Sequence, residues 1–152
     1  MAVLKVATCQ FPVSADIGAN LRHVKRQMVT ASRRGARVAH FPEGSLSGYA
    51  GTDFESFAGY DWDRLHDATA EIADHARQLR LWVVLGSAHR LSGSHKPHNS
   101  LYVISDSGQI TERYDKRFCS GDPSAARLPA GYRRWESHRR PPLALSDHRR
   151  MV

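Results

Sequence analysis

Residues 3–41 read VLKVATCQFPVSADIGANLRHVKRQMVTASRRGARVAHF, a strand, a helix and a strand in succession. Val3 to Phe11 is short and apolar on both faces apart from Lys5, the pattern of a buried strand. Pro12 and the polar residues after it end that strand, and Asp16 is placed to cap a helix. Ile17, Leu21, Val24, Met28 and Ala31 recur at spacings of three and four, which puts one apolar stripe along a helix. Arg22, Lys25, Arg26 and Arg33 take the opposite side. Gly35 is placed as the helix stop, since glycine enters the left-handed region without a Cβ penalty. Arg37 to Phe41, RVAHF, then predicts a second strand.

The chain outside this unit repeats the alternation. After a loop rich in small residues, Asp61 to Arg80 carries a second helical pattern with Trp62, Leu65, Ile72, Ala76 and Leu79 on one side. Leu81 to Ala88, LWVVLGSA, has no charge and predicts a third strand. Asn99 to Ser105 predicts a fourth, Asp106-Ser107-Gly108 a turn, and Gln109 to Lys116 a fifth strand antiparallel to the fourth. Strand, helix, strand, helix, strand and hairpin together predict an α/β fold, a sheet with helices packed on one face. No internal repeat is visible.

The length, 152 residues, suits one domain, and 41% hydrophobic with 24% charged residues is a globular composition. No apolar run approaches a bilayer span, so no membrane association is expected. MAVLKVATCQF lacks the basic-then-apolar order of a secretory signal. Two cysteines, Cys9 and Cys119, make no disulfide framework, and a reducing cytoplasmic location is expected. The net charge of +7 is unevenly spread. Residues 1–123 hold 15 Lys+Arg against 13 Asp+Glu (+2), and residues 124–152 hold 7 Arg against Glu136 and Asp147 (+5).

Two charged residues stand where chemistry is expected. Glu43 follows the second strand inside Phe41-Pro42-Glu43-Gly44-Ser45-Leu46-Ser47-Gly48-Tyr49, and sites in open α/β sheets lie at the carboxyl ends of strands. By spacing alone a solvated loop glutamate fits as well. Lys116 closes the fifth strand in ERYDKRF; it reads either as a surface lysine or, beside Glu43, as a cation for a developing oxyanion. The two are 73 residues apart, and spacing does not bring them together. His40 and Tyr49 either line a pocket beside Glu43 or pack there. His89, His95 and His98 fall close together, but His95-x-x-His98 has no cysteine or carboxylate at zinc spacing, so a polar loop between strands is expected and no metal.

Taken together, ATCQF, Asn20-Leu21, FPEGSLSGY, HNSLYVIS, the DSG turn and RYDKRF resemble the nitrilase superfamily of carbon–nitrogen hydrolases, over residues 3 to about 123 and in the family's order. The general amidase-type members are most similar. The resemblance implies an α-β-β-α sandwich and a Glu-Lys-Cys triad, with Glu43 matching the general base and Lys116 the lysine that stabilises the tetrahedral intermediate. It implies no metal or organic cofactor. A small amide, carbamoyl compound or nitrile is the implied substrate, and a homo-oligomer the implied assembly of the full-length parent.

The departures matter equally. The family nucleophile follows a strand well downstream of the lysine, and this sequence has no cysteine after Cys119. Cys119 lies three residues past Lys116 and does not match the nucleophile motif; Cys9, within the first strand, is expected in the core. The expected organisation is a partial carbon–nitrogen hydrolase domain over residues 1–123, followed by a non-homologous, disordered tail over 124–152. Pro129, Pro141, Pro142 and three Arg-Arg pairs mark that tail, which suggests translation in a shifted reading frame. Nucleic-acid binding through its arginines, Tyr132 and Trp135 is the lesser reading. The functional expectation is a truncated, inactive amidase- or nitrilase-type hydrolase; the alternative is a catalytically dead binding or regulatory protein. With half a sandwich, Val6, Val83 and Leu85 or their strand neighbours are expected to face water.

Overall fold

The structure, a computed structural model, describes residues 3–93 and 95–116. Its elements run β1 (Val6–Thr8), α1 (Ile17–Arg33), β2 (Val38–His40), α2 (Trp62–Leu79), β3 (Trp82–His89), β4 (His98–Ile104) and β5 (Ile110–Asp115). The strands form one sheet in the order β1-β2-β3-β4-β5. The β1–β2 and β2–β3 pairs are parallel, and β3–β4 and β4–β5 antiparallel. Parallel neighbours need crossovers, which α1 and α2 supply.

Local chemistry sets the helix limits. Asp16 accepts the amide of Ala19 at 3.0 Å and Asp61 that of Arg64 at 2.8 Å, each satisfying a donor with no partner inside its helix. At the end of α1, Gly35 takes φ 75° and its amide reaches Ser32 O at 2.9 Å. The buried stripe of α1 is Ile17, Asn20, Leu21, Val24, Met28 and Ala31. It meets Leu65, Ala68, Ile72 and Ala76 of α2 and one face of the sheet, on which Ala39, Val83, Leu85, Tyr102 and Ile104 are buried.

The sheet's other face carries no helix among the described residues. Side chains alternate along a strand, so Val6, Val38, Val84, Leu101, Val103 and Tyr114 turn to that face, with Val6 51% and Tyr114 48% exposed. Val83 and Leu85 are the corrected members of the expectation: both are fully buried, because they lie on the helix side. The expected buried strand over residues 3–11 is corrected too. β1 is a three-residue edge strand with Val3 90% and Leu4 65% exposed, since it has a neighbour on one side only. Cys9 is in the core, where burial pushes its thiol pKa up.

Asn20, fully buried, joins α1 to the loop after β2. Its Oδ1 accepts Ser14 N at 3.1 Å, and its Nδ2 donates to Ser14 O at 2.7 Å and Leu46 O at 3.1 Å. Among the described residues no helix is long and apolar enough to cross a membrane. Cys119 and the tail from residue 124 lie outside the described residues.

Candidate active site

β2 ends at His40 while β3 runs on to His89, so the chain after β2 lies along the edge of β3 that β2 leaves open. Phe41 N donates to Val84 O at 2.9 Å, Leu46 N and Ser45 Oγ both reach Gly86 O at 3.0 and 2.9 Å, and Ala88 N donates to Ser47 Oγ at 2.9 Å. The small residues of GSLSG thereby satisfy buried backbone groups that a strand would otherwise pair. Gly86 permits the crossing: a Cβ there would stand 2.2 Å from Pro42 O and 2.7 Å from Glu43 Cα. The Tyr49 ring lies against Gly44.

That path sets Glu43 over the start of β4 and the end of β5. The antiparallel register places Ser100 opposite Asp115, and one step further Lys116 N donates to Asn99 O at 2.8 Å. Asn99 and Lys116 are therefore neighbours across the strands on the side away from the helices. Both side chains converge on Glu43: Lys116 Nζ lies 2.8 Å from Oε1, and Asn99 Nδ2 donates to the same oxygen. The Lys116 and Glu43 side chains are 34% and 40% exposed, so the pair is worth roughly 0–1 kcal/mol in stability. Stability alone is a weak reason for joining residues so far apart.

Beside Glu43 opens a cleft of about 480 Å³ lined by Gln10, Phe11, Val13, Pro42, Glu43 and Tyr49. The cleft is open to solvent and mixes apolar Phe11, Val13 and Pro42 with the polar groups of Gln10, Glu43 and Tyr49. Tyr49 is part of the wall; His40 is exposed and is not. His95 is exposed on the β3–β4 connection. His89 and His98 are cross-strand partners, on the helix side of the sheet and turned from Glu43. Among the described residues no group of three His, Cys, Asp or Glu gathers as metal ligands.

Glu43 and Lys116, expected from the sequence, are thus brought into contact. Asn99 was missed as a site residue. Its only signal was its place in HNSLYVIS, at the start of an antiparallel strand whose partner ends in Lys116.

A helix-covered sheet brings a glutamate and a lysine together at its strand ends, and the family model named carbon-nitrogen hydrolase matches residues 5–139. The chain belongs to the carbon–nitrogen hydrolase family. Among curated relatives it is 25% identical, over 114 residues, to the chloroplastic omega-amidase of Arabidopsis thaliana, covering 73% of this chain and 30% of the relative. Among solved structures it is similar to an amidase from Nesterenkonia sp. AN1, of the nitrilase superfamily. The TM-score is 0.73 at 18% identity, over 88% of this chain and 50% of that one. A mutant of that amidase in complex with butyramide matches with TM-score 0.72 and 18% identity, over 88% and 49%. Another mutant, with the acetamide moiety of fluoroacetamide added covalently at its active-site cysteine, matches with TM-score 0.72 and 18% identity, over 88% and 48%. This chain thus spans about half the length of these solved relatives and 30% of the curated one.

Proposed function

We propose that this chain carries the base and the cation of a Glu-Lys-Cys centre that cleaves a non-peptide carbon–nitrogen bond in a small amide, carbamoyl compound or nitrile. The observation that carries the reading is the convergence of Lys116 Nζ and Asn99 Nδ2 on one oxygen of Glu43 beside the cleft. The covalent adduct in a mutant of the Nesterenkonia amidase supports one part of this reading, a nucleophilic cysteine in that relative.

With an amide, the Glu43 carboxylate takes the proton of the attacking thiol, and sulfur adds to the carbonyl carbon. Negative charge forms on the carbonyl oxygen, where the Lys116 ammonium stabilises it; one such donor contributes about 3–4 kcal/mol. Collapse breaks the C–N bond, the leaving nitrogen takes the proton from Glu43, and a thioacyl enzyme remains. Glu43 then takes a proton from water, whose oxygen adds to the thioester; collapse breaks the C–S bond and releases the acid, and the sulfur takes the proton back from Glu43. Asn99 holds the free lone pairs of Glu43 toward the cleft rather than reacting.

Residues 1–152 do not supply the nucleophile of this route. Cys9 is buried and its thiol is held protonated, and Cys119 does not match the family's nucleophile motif. The chain alone is therefore expected to be inactive. Incubation with a panel of small amides, carbamoyl amines and nitriles is expected to release no ammonia and leave no acyl adduct. An adduct on Cys119, lost in Cys119→Ser and in Glu43→Gln, would overturn the inactive reading and make this a compact enzyme with a relocated nucleophile.

A further inference from the structure

Lys116 follows the last residue of β5, and its backbone bond to Asn99 is the last rung of the β4–β5 ladder among the described residues. Strand ends fray where nothing anchors them. The anchor here lies on the reverse side of the hairpin. Asp115, its side chain 16% exposed, points to the helix side, opposite to Lys116. Ser100 Oγ donates to its Oδ1 at 2.7 Å, and Arg113 Nε lies 3.0 Å from the same oxygen. Arg113 Nη2 donates to Oδ2 at 3.3 Å, and His98 Nδ1 stands 3.0 Å from Oδ2, off the line of a straight hydrogen bond. Burial opposes the charge on Asp115. The contacts with His98 and Ser100 and the Arg113 charge outweigh it, and hold the carboxyl well below the usual carboxylate range.

The network extends to β3. Arg113 Nη1 contacts His89 Nε2, and His89 Nδ1 lies 2.7 Å from Tyr102 Oη. Arginine only donates, so His89 Nε2 is the acceptor, and Nδ1 carries the proton toward the Tyr102 oxygen. Tyr102, 5% exposed, seats the far end in the core. Alternation along the strands then has a specific consequence. Asn99 lies between His98 and Ser100, and Lys116 directly follows Asp115, so each Glu43 partner is flanked in sequence by network members that face the other way.

We propose that Asp115 is a positioning residue: tied to His98, Ser100 and Arg113 behind the sheet, it fixes the end of β5 so that Lys116 and Asn99 meet Glu43 in front. This rests on reading Glu43 and Lys116 as base and cation. A buried charge network is a weak stabiliser compared with apolar packing, and its value here is geometric, because it holds the Asn99–Lys116 rung in register.

The test uses the whole 152-residue chain and NMR signals that require no turnover: the Asn99 side-chain amide and the Lys116 ammonium, the latter recorded at low temperature. Glu43→Gln defines where both signals lie when the carboxylate is absent. Asp115→Ala is expected to move both at least halfway to those positions and to lower hydrogen-exchange protection of the Lys116 amide tenfold or more. Asp115→Asn, which keeps an acceptor for Ser100, moves them less. Ser107→Ala, which removes a hydroxyl contact with Ser105 at the far turn, leaves them in place. If Asp115→Ala does not fold, Ser100→Ala, which removes one donor to Asp115, and Arg113→Gln, which removes the guanidinium fork, carry the same expectation at smaller size. Unmoved Asn99 and Lys116 signals in the folded Asp115 or Arg113 variants overturn the proposal. A Cys119 adduct in the hydrolase assays would overturn the inactive reading there, and leaves these signals unaffected.

Discussion

Asn99 and Lys116 face each other across β4 and β5, joined by a 2.8 Å backbone bond, and their side chains end on the same oxygen of Glu43. Asn99 is 9% exposed, so its amide is largely removed from competing water. Asn99→Ala is expected to cost about 1 kcal/mol, read from urea unfolding. Asn99→Asp is expected to cost more at neutral pH than at pH 4, because it brings a second carboxylate against Glu43. Equal costs at both pH values would show that the Asn99–Glu43 contact does not persist in solution.

The approach of the Glu43 loop to β3 leaves no room for a side chain at Gly86. Gly86→Ala is expected to destabilise by about 1–3 kcal/mol, the cost of overpacking, and to displace Glu43 from Asn99. A thermal melt together with the Asn99 amide signal checks both effects. An unchanged melt would mean that the loop rides higher on the sheet.

Asn20, itself fully buried, links α1, Ser14 and Leu46 through three backbone groups. Asn20→Leu matches its size and leaves those groups unpaired, with an expected loss of about 2–3 kcal/mol. Asn20→Asp is also expected to be destabilising, since a carboxylate cannot donate to Ser14 O and Leu46 O. Denaturant midpoints of the two variants measure this.

Acid should weaken the fold through Asp115. Its folded pKa is depressed, so its stabilising contribution is complete above the ordinary aspartate value of about 4 and is lost as pH falls toward the lower folded value. The sign follows because the unfolded chain takes up this proton first. Asp16, lowered by the Ala19 amide, and Asp74, lowered by its hydrogen bond from Arg77, act in the same direction but are exposed to solvent screening. Urea midpoints at pH 7 and pH 3 are expected to differ less for Asp115→Asn than for the parent chain.

The helix-free face of the sheet, with Val6 and Tyr114 half exposed, is expected to drive self-association. Light scattering should show oligomers, and Val6→Lys with Tyr114→Lys should shift the population toward monomer. A monomeric parent chain with a single cooperative melt would count against this expectation.

Much of the fold was legible because its signals are local. The stripe from Ile17 to Ala31, the aspartate cap at 16, Gly35 and the Asp106-Ser107-Gly108 turn each act within a few residues of themselves. They set the order of elements and put Glu43 directly after β2. Period-two alternation also told which residues of a strand share a face. It did not tell which face the helices cover, so Val83 and Leu85 were grouped with Val6 although they lie on opposite sides. Nor did it tell that β1 is an edge, because an apolar strand reads alike with one neighbour or two.

The sequence by itself therefore determined the α/β order, the helix limits and the candidate pair Glu43 and Lys116 as two separate residues. Only the tertiary structure decided that they touch, and that Asn99 joins them. The physical reason is that the contact is made by strand order and register. A parallel β2–β3 step carries Glu43 across Gly86, and an antiparallel β3–β4–β5 meander returns Lys116 to the same end of the sheet. No local signal records that return. A shift of one residue in the β4–β5 register would turn either Lys116 or Asn99 to the helix side.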